Sequence, residues 1–143
     1  MIIIDETNTF SDKHKLVLSN FVETDLLSNS IAIKMLHKIV IGERPDSDCD
    51  GSWRCRIVDS QIRCVIFLNA HFTSQLASQY DKIEQFKKVL AHEYGHHWTL
   101  AHLIANHNFN YDQQRLPKIY YDLRGLDTSM CSARYVDDSY SLP

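Results

Sequence analysis

The longest regular pattern of apolar positions lies in the second half of the chain. From about Lys82 onward, apolar residues recur at spacings of three and four, which is the period of one face of an α-helix. The pattern predicts that residues 74–105 form a helix, either continuous or interrupted near residues 79–81. A glutamate and two histidines lie on or beside its apolar side. The positions that carry the pattern are Phe86, Val89, Leu90, Glu93, His97 and Leu100.

Two segments before this helix have strand-like patterns. Residues 62–68 alternate weakly and are rich in valine, isoleucine and phenylalanine, and residues 53–58 form a second run of this kind. Between them, residues 59–60 suit a two-residue hairpin turn. The pattern predicts an antiparallel hairpin that leads through residues 69–71 into the long helix.

The register of this hairpin brings two of the cysteines together. The predicted turn pairs Val58 with Gln61, and continuing that register places Cys55 opposite Cys64. Opposed residues on antiparallel strands have Cα atoms within about 5.5 Å, which is close enough for a disulfide. No secretion signal supports oxidation, so two free thiols fit the sequence equally well. The other cysteines are Cys49 and Cys131.

The amino-terminal part of the chain predicts helices followed by a polar turn. The apolar positions of residues 11–40 are consistent with one or two helices, and residues 42–51 break the pattern with a proline, three aspartates and two glycines. The carboxyl-terminal third is irregular. Together the elements predict an α+β fold, with a small mixed or antiparallel sheet and one long helix.

Length and charge narrow the class of protein. At 143 residues the chain fits one domain, and its formal charge of −3 is spread without a basic block, so nucleic acid is not an expected partner. The amino terminus lacks the basic flank and the long apolar run of a signal peptide. No stretch approaches the roughly 20 apolar residues of a membrane span. We expect a cytoplasmic protein without membrane contact and leave its oligomeric state open.

The chemistry of the chain is concentrated in residues 92–102, which contain the pattern H-E-x-x-H. Positions four apart share a face of a helix, so His92 and His96 present two imidazoles to one metal ion. Glu93 lies next to the first of them, where its carboxylate can act as a base on a water that the metal activates. Because buried ionisable groups must be paired or bound to metal, the pattern predicts a zinc site with its own base. A hydrogen-bonded core cluster is the alternative.

A helix, then a sheet that ends in a strand, then an H-E-x-x-H helix resembles the zincin metallopeptidases. The resemblance covers residues 53–102 and implies a zincin-like fold, a zinc cofactor (Zn2+) and a peptide or protein substrate. In that superfamily the strand before the active-site helix binds substrate as an added strand, which assigns this role to residues 63–69. An exposed strand edge offers N–H and C=O groups to an extended peptide. A purely structural edge strand is the alternative.

The third zinc ligand has more than one candidate. A catalytic zinc normally takes three protein ligands, and His102 resembles the last histidine of H-E-x-x-H-x-x-G-x-x-H, the metzincin motif. Met130 resembles the methionine turn of the same group. Thr99, however, replaces the motif's glycine. In a helix that continues, His102 lies about 240° round and about 9 Å along from His96, too far to share the ion.

The gluzincin group takes this ligand from a glutamate on a later helix instead, and no glutamate follows Glu93 in this chain. An aspartate would have to substitute for it, or the site holds only two histidines. We expect His97 and His107 to lie behind the site or on the surface. The candidate aspartates are Asp112, Asp122, Asp127, Asp137 and Asp138.

Motif and resemblance together predict a zinc metallopeptidase formed by one domain over residues 1–143. Glu93 is expected to take a proton from the attacking water and to pass it to the leaving amine. Arg134, Tyr135 and His97 are candidates for stabilising the oxyanion. The alternatives are a catalytically inactive zincin-like binding or regulatory module, and a closed structural zinc site.

Overall fold

The computed structural model describes residues 2–26, 30–59 and 61–107. The chain forms an α+β structure in which one long helix packs on a four-stranded sheet. The elements in chain order are β1 (Ile2–Asp5), α1 (Asp12–Asn20) with a π-helical turn (Phe21–Asp25), α2 (Ser30–Met35), β2 (Leu36–Gly42), β3 (Gly51–Val58), β4 (Gln61–Asn69), a 3₁₀ turn (Ala70–Thr73) and α3 (Gln79–His107).

The sheet is mixed, with strand order β1-β2-β4-β3. The strands β1, β2 and β4 are parallel, whereas β3 is antiparallel to β4. The hairpin prediction is confirmed, because Val58 lies opposite Gln61 and Cys55 lies opposite Cys64. The broader prediction of a mixed sheet with a long helix is confirmed as well.

The prediction that residues 63–69 form an exposed edge is wrong. These residues belong to β4, which pairs with β2 on one side and with β3 on the other, so its backbone groups are already used in the sheet. Within the described residues, the outer strands are β1 and β3. Of these two outer strands, β3 lies nearer to the long helix in sequence, and it runs antiparallel to its neighbour β4.

The strand β2 accounts for this difference. The apolar positions of residues 11–40 are consistent with one or two helices, but residues 36–40 form the first part of β2, in which Leu36, Ile39 and Ile41 are buried. Ile39 pairs with Ile3 of β1 on one side and with Ile66 of β4 on the other. A short apolar run of this kind fits a buried parallel strand as well as it fits a helix.

The helix α3 packs against β3 and β4 and against α1 and α2. It begins at Gln79, where the Ser78 hydroxyl accepts a hydrogen bond from the Asp81 N–H (3.0 Å), as an N-cap residue does. From Gln79 it is continuous to His107, so residues 79–81 do not interrupt it. Residues 74–78, which the apolar pattern predicts as helical, lie before its start, and that part of the prediction is wrong. The core side chains include Leu18, Ile39, Ile41, Trp53, Ile66, Leu68, Ile83, Phe86 and Leu90.

The helices cover one face of the sheet. On that face Ile66 and Leu68 of β4 are fully buried, whereas Val65 and Phe67 on the opposite face are only half-buried. Among the helices that the structure describes, none is long and apolar enough to cross a membrane. The irregular carboxyl-terminal segment predicted from sequence lies outside the described residues.

Candidate metal centre

His92, Glu93 and His96 lie in the middle of α3, where Glu93 approaches Gly51 and His96 stacks on Trp53, both of β3. Glu93 and His96 are fully buried and His92 is half-buried. The imidazole centroids of His92 and His96 are 5.3 Å apart, with their planes at 76°. The structure therefore brings together two of the three predicted ligands and the predicted base. The apolar residues Leu90 and Phe86, about one and two turns before Glu93, anchor this face of the helix in the core.

Glu93 lies directly beneath the start of β3, and Gly51 makes this approach possible. A Cβ atom at Gly51 would come within 2.5 Å of Val89 Cγ1 and 3.2 Å of Glu93 Cγ. Since real Cβ atoms do not approach so closely, any other residue here would push the strand off the helix. The edge strand and the candidate base are consequently in contact at this position.

A buried asparagine holds the loop that precedes β3. The Asn69 carboxamide oxygen accepts hydrogen bonds from the backbone N–H of Arg44 (3.0 Å) and of His71 (3.1 Å). Its amide group donates to the carbonyl oxygens of Arg44 (2.9 Å) and Cys49 (3.0 Å). The four bonds use the full capacity of the side chain. They attach the loop before β3 to the end of β4. The backbone immediately before Gly51 is therefore held in place.

Cys49, in the same loop, is electrostatically linked to the site. Burial raises the pKa of its thiol, and the negative charge of Glu93 raises that pKa further, followed by the charges of Asp50 and Asp48. Cys49 therefore favours the protonated thiol while Glu93 is ionised.

Trp53 and His97 form a buried cluster beside His96, one of the two candidate ligands. The indole of Trp53 stacks on the imidazole of His96, with centroids 6.5 Å apart and planes at 26°. Its Nε1–H donates to His97 Nδ1 (3.2 Å), and His97 Nε2 makes a short hydrogen bond with the Ala32 carbonyl oxygen. Because Nδ1 accepts, the proton of the neutral ring is assigned to Nε2.

His97 is a neutral structural group at pH 7. Burial lowers its pKa to about 4, although the hydrogen bond to Ala32 acts in the opposite direction. Both of its ring nitrogens are used by Trp53 and Ala32, so neither can stabilise a substrate oxyanion. The suggestion that His97 plays that role is wrong. Its expected place behind the site agrees with the structure.

The metzincin-like assignment of His102 remains a prediction. The helix does not end at Thr99, whose hydroxyl donates to the Gly95 carbonyl oxygen (2.8 Å), and it continues to His107. A continuous helix is the arrangement in which position 102 turns about 240° away from His96 and lies about 9 Å along. The backbone therefore disfavours a shared ion. The side chain of His102 lies outside the described residues, as do Met130, Arg134, Tyr135 and the five candidate aspartates.

The described residues supply a partial donor set. Within residues 2–26, 30–59 and 61–107, no group of three or more His, Cys, Asp or Glu side chains is arranged to hold a metal ion. His92 and His96 are nevertheless donors of the type that zinc prefers, and both lie on one face. These two positions suit zinc in donor type, and the candidates for a third protein ligand, His102 and the five aspartates, lie at residue 102 or beyond.

Sequence reasoning found the two histidines and the glutamate but missed three residues around them. The sequence pattern predicts a strand at Trp53, a polar turn at Gly51 and the exit from the sheet at Asn69, and it gives none of them a role in the site. Each acts through a contact with a residue distant in sequence. The one signal that could have drawn attention to this cluster is a tryptophan, a residue type with a large apolar surface to bury, at the start of a predicted hairpin strand.

Comparison of the chain with models of protein families, with curated proteins and with solved structures found no match. The functional assignment therefore depends on the residues and the geometry of this chain.

Proposed function

We propose that the chain is a zinc-dependent metallopeptidase with a zincin-like fold, in which His92 and His96 bind the metal and Glu93 is the general base. The observation that carries the proposal is the fully buried Glu93 carboxyl beside two imidazoles one helical turn apart, directly under the edge strand β3. Burial of a carboxylate is costly. A closed structural metal site would gain nothing from a base at this position.

The roles of the residues follow from their chemistry. When bound, zinc supplies a Lewis acid that polarises a carbonyl group and makes water more acidic. Glu93 would accept a proton from the attacking water on a carboxylate oxygen and deliver it to the nitrogen of the leaving amine. Trp53 and His97 keep the His96 side of the site dry and hold the ring of that ligand in place.

We further propose that an extended peptide binds along β3. Among the described strands, β3 is an edge strand that pairs only with β4. Its first residue, Gly51, lies against Glu93, the proposed base. Unpaired N–H and C=O groups of an edge strand can hydrogen-bond to an added strand. This arrangement would carry the scissile bond past Glu93. In this proposal β3 has the substrate-binding role that the zincin resemblance implies for residues 63–69.

A groove on the other face of the hairpin provides a place for substrate side chains. It has a volume of about 980 Å³ and lies between the loop before β3 and the outer side chains of β3 and β4. Side chains of a strand point alternately to the two faces of the sheet. Alternate residues of a bound peptide would therefore reach the groove, whose lining includes Arg44, Asp46, Ser52, Arg54 and Phe67.

One observation favours the second candidate, a zincin-like module that binds without hydrolysis. The described residues contain two histidine donors on the helix, but no grouping of three donors. If neither His102 nor a downstream aspartate completes the site, catalysis is not expected, and the edge strand β3 would serve only to bind a peptide.

Zinc content and hydrolysis together separate the candidates. We expect about one zinc per chain in the wild type, and loss of zinc in His92→Ala and His96→Ala. His37→Ala, which removes an exposed histidine of β2, is the matched control and should retain the metal. Retention of zinc in His102→Ala would exclude that residue and direct attention to the five aspartates.

Glu93→Gln tests the catalytic part of the proposal. The variant should keep its zinc, because Glu93 is not a ligand, and should lose about 10²- to 10⁴-fold in the rate of peptide hydrolysis, measured on a fluorogenic peptide library. Equal hydrolysis by Glu93→Gln and by the wild type would refute the mechanism. A zinc-loaded wild type that cleaves no peptide but binds peptides would support the non-catalytic module.

A further inference from the structure

We propose that Cys55 and Cys64 form a reversible dithiol–disulfide site that joins the edge strand β3 to β4. This inference does not depend on the metal or on hydrolysis. Both residues carry free thiols in the structure, and neither takes part in the candidate metal centre.

The first step of the argument is the backbone geometry. Cys55 lies directly opposite Cys64 in a ladder without register shifts between residues 51 and 68. At the open end of the ladder, the Asn69 N–H donates to the Asp50 carbonyl oxygen (2.9 Å), so these two residues form a hydrogen-bonded pair. Pairs alternate along an antiparallel ladder, which makes Cys55 and Cys64 a non-hydrogen-bonded pair.

This class of pair suits a disulfide. Its Cα atoms are only about 4.5 Å apart and its side chains approach more closely than those of hydrogen-bonded pairs. The distance lies within the range that disulfides span in proteins, from about 4.4 to about 6.8 Å. The backbone therefore needs no rearrangement to accept the bond.

The side chains agree with the backbone. Beyond the effect of burial, the Cys55 thiol lies close enough to Cys64 to raise the pKa of the Cys64 thiol further. Cys64 is fully buried on the face of the sheet that packs against the helices, whereas Cys55 is half-buried at the edge strand. Cys49, the third cysteine that the structure describes, lies in the loop before β3 and has no cysteine opposite it.

The difference in exposure gives the order of the reaction. With a small-molecule disulfide such as oxidised glutathione as the oxidant, the Cys55 thiolate attacks one glutathione sulfur and the other glutathione leaves as a thiolate. Cys64 then loses its proton and attacks the Cys55 sulfur, which releases the second glutathione. One protein disulfide forms, and the oxidant is reduced to two glutathione thiols. Burial raises the pKa of the Cys64 thiol. A buried thiol that is mostly protonated is expected to react after the more exposed Cys55, once the mixed disulfide has formed beside it.

The bond would tie the strand that carries Trp53 to the interior of the sheet. Trp53 lies two residues before Cys55 on the same face and contacts His96 and His97. Oxidation would therefore restrict opening of β3 at the position where it packs on α3.

The test uses the full chain with Cys49→Ser and Cys131→Ser, so that only the pair remains. In excess oxidised glutathione we expect both free thiols to disappear, with an intact mass lower by two hydrogens and no glutathione attached. Peptide mapping should give one cross-linked species that contains Cys55 and Cys64, and dithiothreitol should restore both thiols. Hydrogen exchange of the β3 amides should be slower in the oxidised form.

Single-cysteine variants are the matched controls. In the same background, Cys64→Ala should stop at a glutathione adduct on Cys55, and Cys55→Ser should react at least about tenfold more slowly because Cys64 is buried. A stable glutathione adduct on Cys55 when Cys64 is present would overturn the proposal, as would two thiols that remain unreactive. The same oxidation can be carried out on the wild-type chain, which carries no substitution that could impair folding. There, a cross-link between Cys49 and Cys131 in place of the Cys55–Cys64 disulfide would also overturn the proposal.

Discussion

Trp53 links the candidate ligand His96 to the protein interior through two different contacts. Its ring face stacks on His96, and its indole N–H donates a hydrogen bond to His97. His97 in turn is hydrogen-bonded to the backbone of α2 at Ala32. Groups that orient a metal-binding histidine commonly influence metal affinity by factors of about 10 to 100. Trp53 is therefore a positioning residue for the candidate metal centre.

Trp53→Phe should weaken zinc binding by about tenfold, because phenylalanine keeps an aromatic surface but cannot donate to His97 or cover the His96 ring as fully. The affinity can be measured by competition with a chromogenic chelator, and the absorption spectrum of the cobalt-substituted protein reports the ligand geometry. Trp98→Phe, at a half-buried position of α3, is the control. Equal affinities and identical cobalt spectra for Trp53→Phe and wild type would show that Trp53 only fills space.

At the scale of elements, the crossing of β3 over α3 is the contact that determines the site. The strand can lie on Val89 and Glu93 only because position 51 carries no side chain. Gly42 differs in this respect. A Cβ atom there would meet the carboxylate end of Glu6, the ring edge of Phe67 and the guanidinium of Arg44, of which the Glu6 and Arg44 groups can move aside.

Gly51→Ala should therefore destabilise the protein by about 1–3 kcal/mol, the usual cost of inserting an atom into a packed region. Gly42→Ala is the matched control and should cost less. Removing the opposing methyl groups with Val89→Ala should relieve part of the strain. A double-mutant cycle of Gly51→Ala and Val89→Ala, measured by denaturant unfolding, should give a favourable coupling energy of about 1 kcal/mol. Strictly additive effects would mean that Gly51 and Val89 do not clash.

At the scale of the whole molecule, His97 joins three elements that are far apart in sequence. Its partners are separated from it by 44 residues (Trp53) and 65 residues (Ala32), so α2, β3 and α3 meet at one imidazole. The ring is buried in its neutral form, and its protonation is unfavourable in the folded state. Stability of the assembled fold should consequently depend on pH.

The sign follows from the two pKa values. His97 titrates near 6.5 when exposed and near 4 in the folded protein, so between these pH values the unfolded chain binds the extra proton. The stabilisation is fully present above pH 6.5 and is lost progressively as the pH falls towards 4, by about 3 kcal/mol in total. Urea unfolding of the metal-free protein at several pH values measures it. His97→Gln should flatten the dependence in this window, and an unchanged slope would contradict the assignment.

Local pattern predicted the parts of the fold that depend on neighbouring residues. The hairpin register and the long helix follow from turn chemistry and from periodicity, and both are confirmed. The position of β2 between β1 and β4 depends on pairing between residues more than 25 positions apart, such as Ile39 with Ile66. No local pattern encodes such a pairing, and for this reason the edge strand was assigned wrongly.

The candidate site shows the same division. The common face of His92 and His96 is a property of a single helical turn, so the sequence was sufficient to predict it. Trp53 and Gly51 reach the site only because β3 folds over α3, and the sequence had no means of indicating that contact. The third ligand depends on residues beyond this local region and stays a prediction.

The short separation of His92 and His96 also has a consequence for folding. Forming the first turn of a helix is the unfavourable step, because several residues are fixed for one hydrogen bond. A metal ion held by both histidines would link the ends of that turn before any strand has formed. Zinc would then bind to the unfolded chain in addition to the native protein. The increase in melting temperature on adding zinc would therefore be smaller than the affinity of the native protein for zinc alone implies.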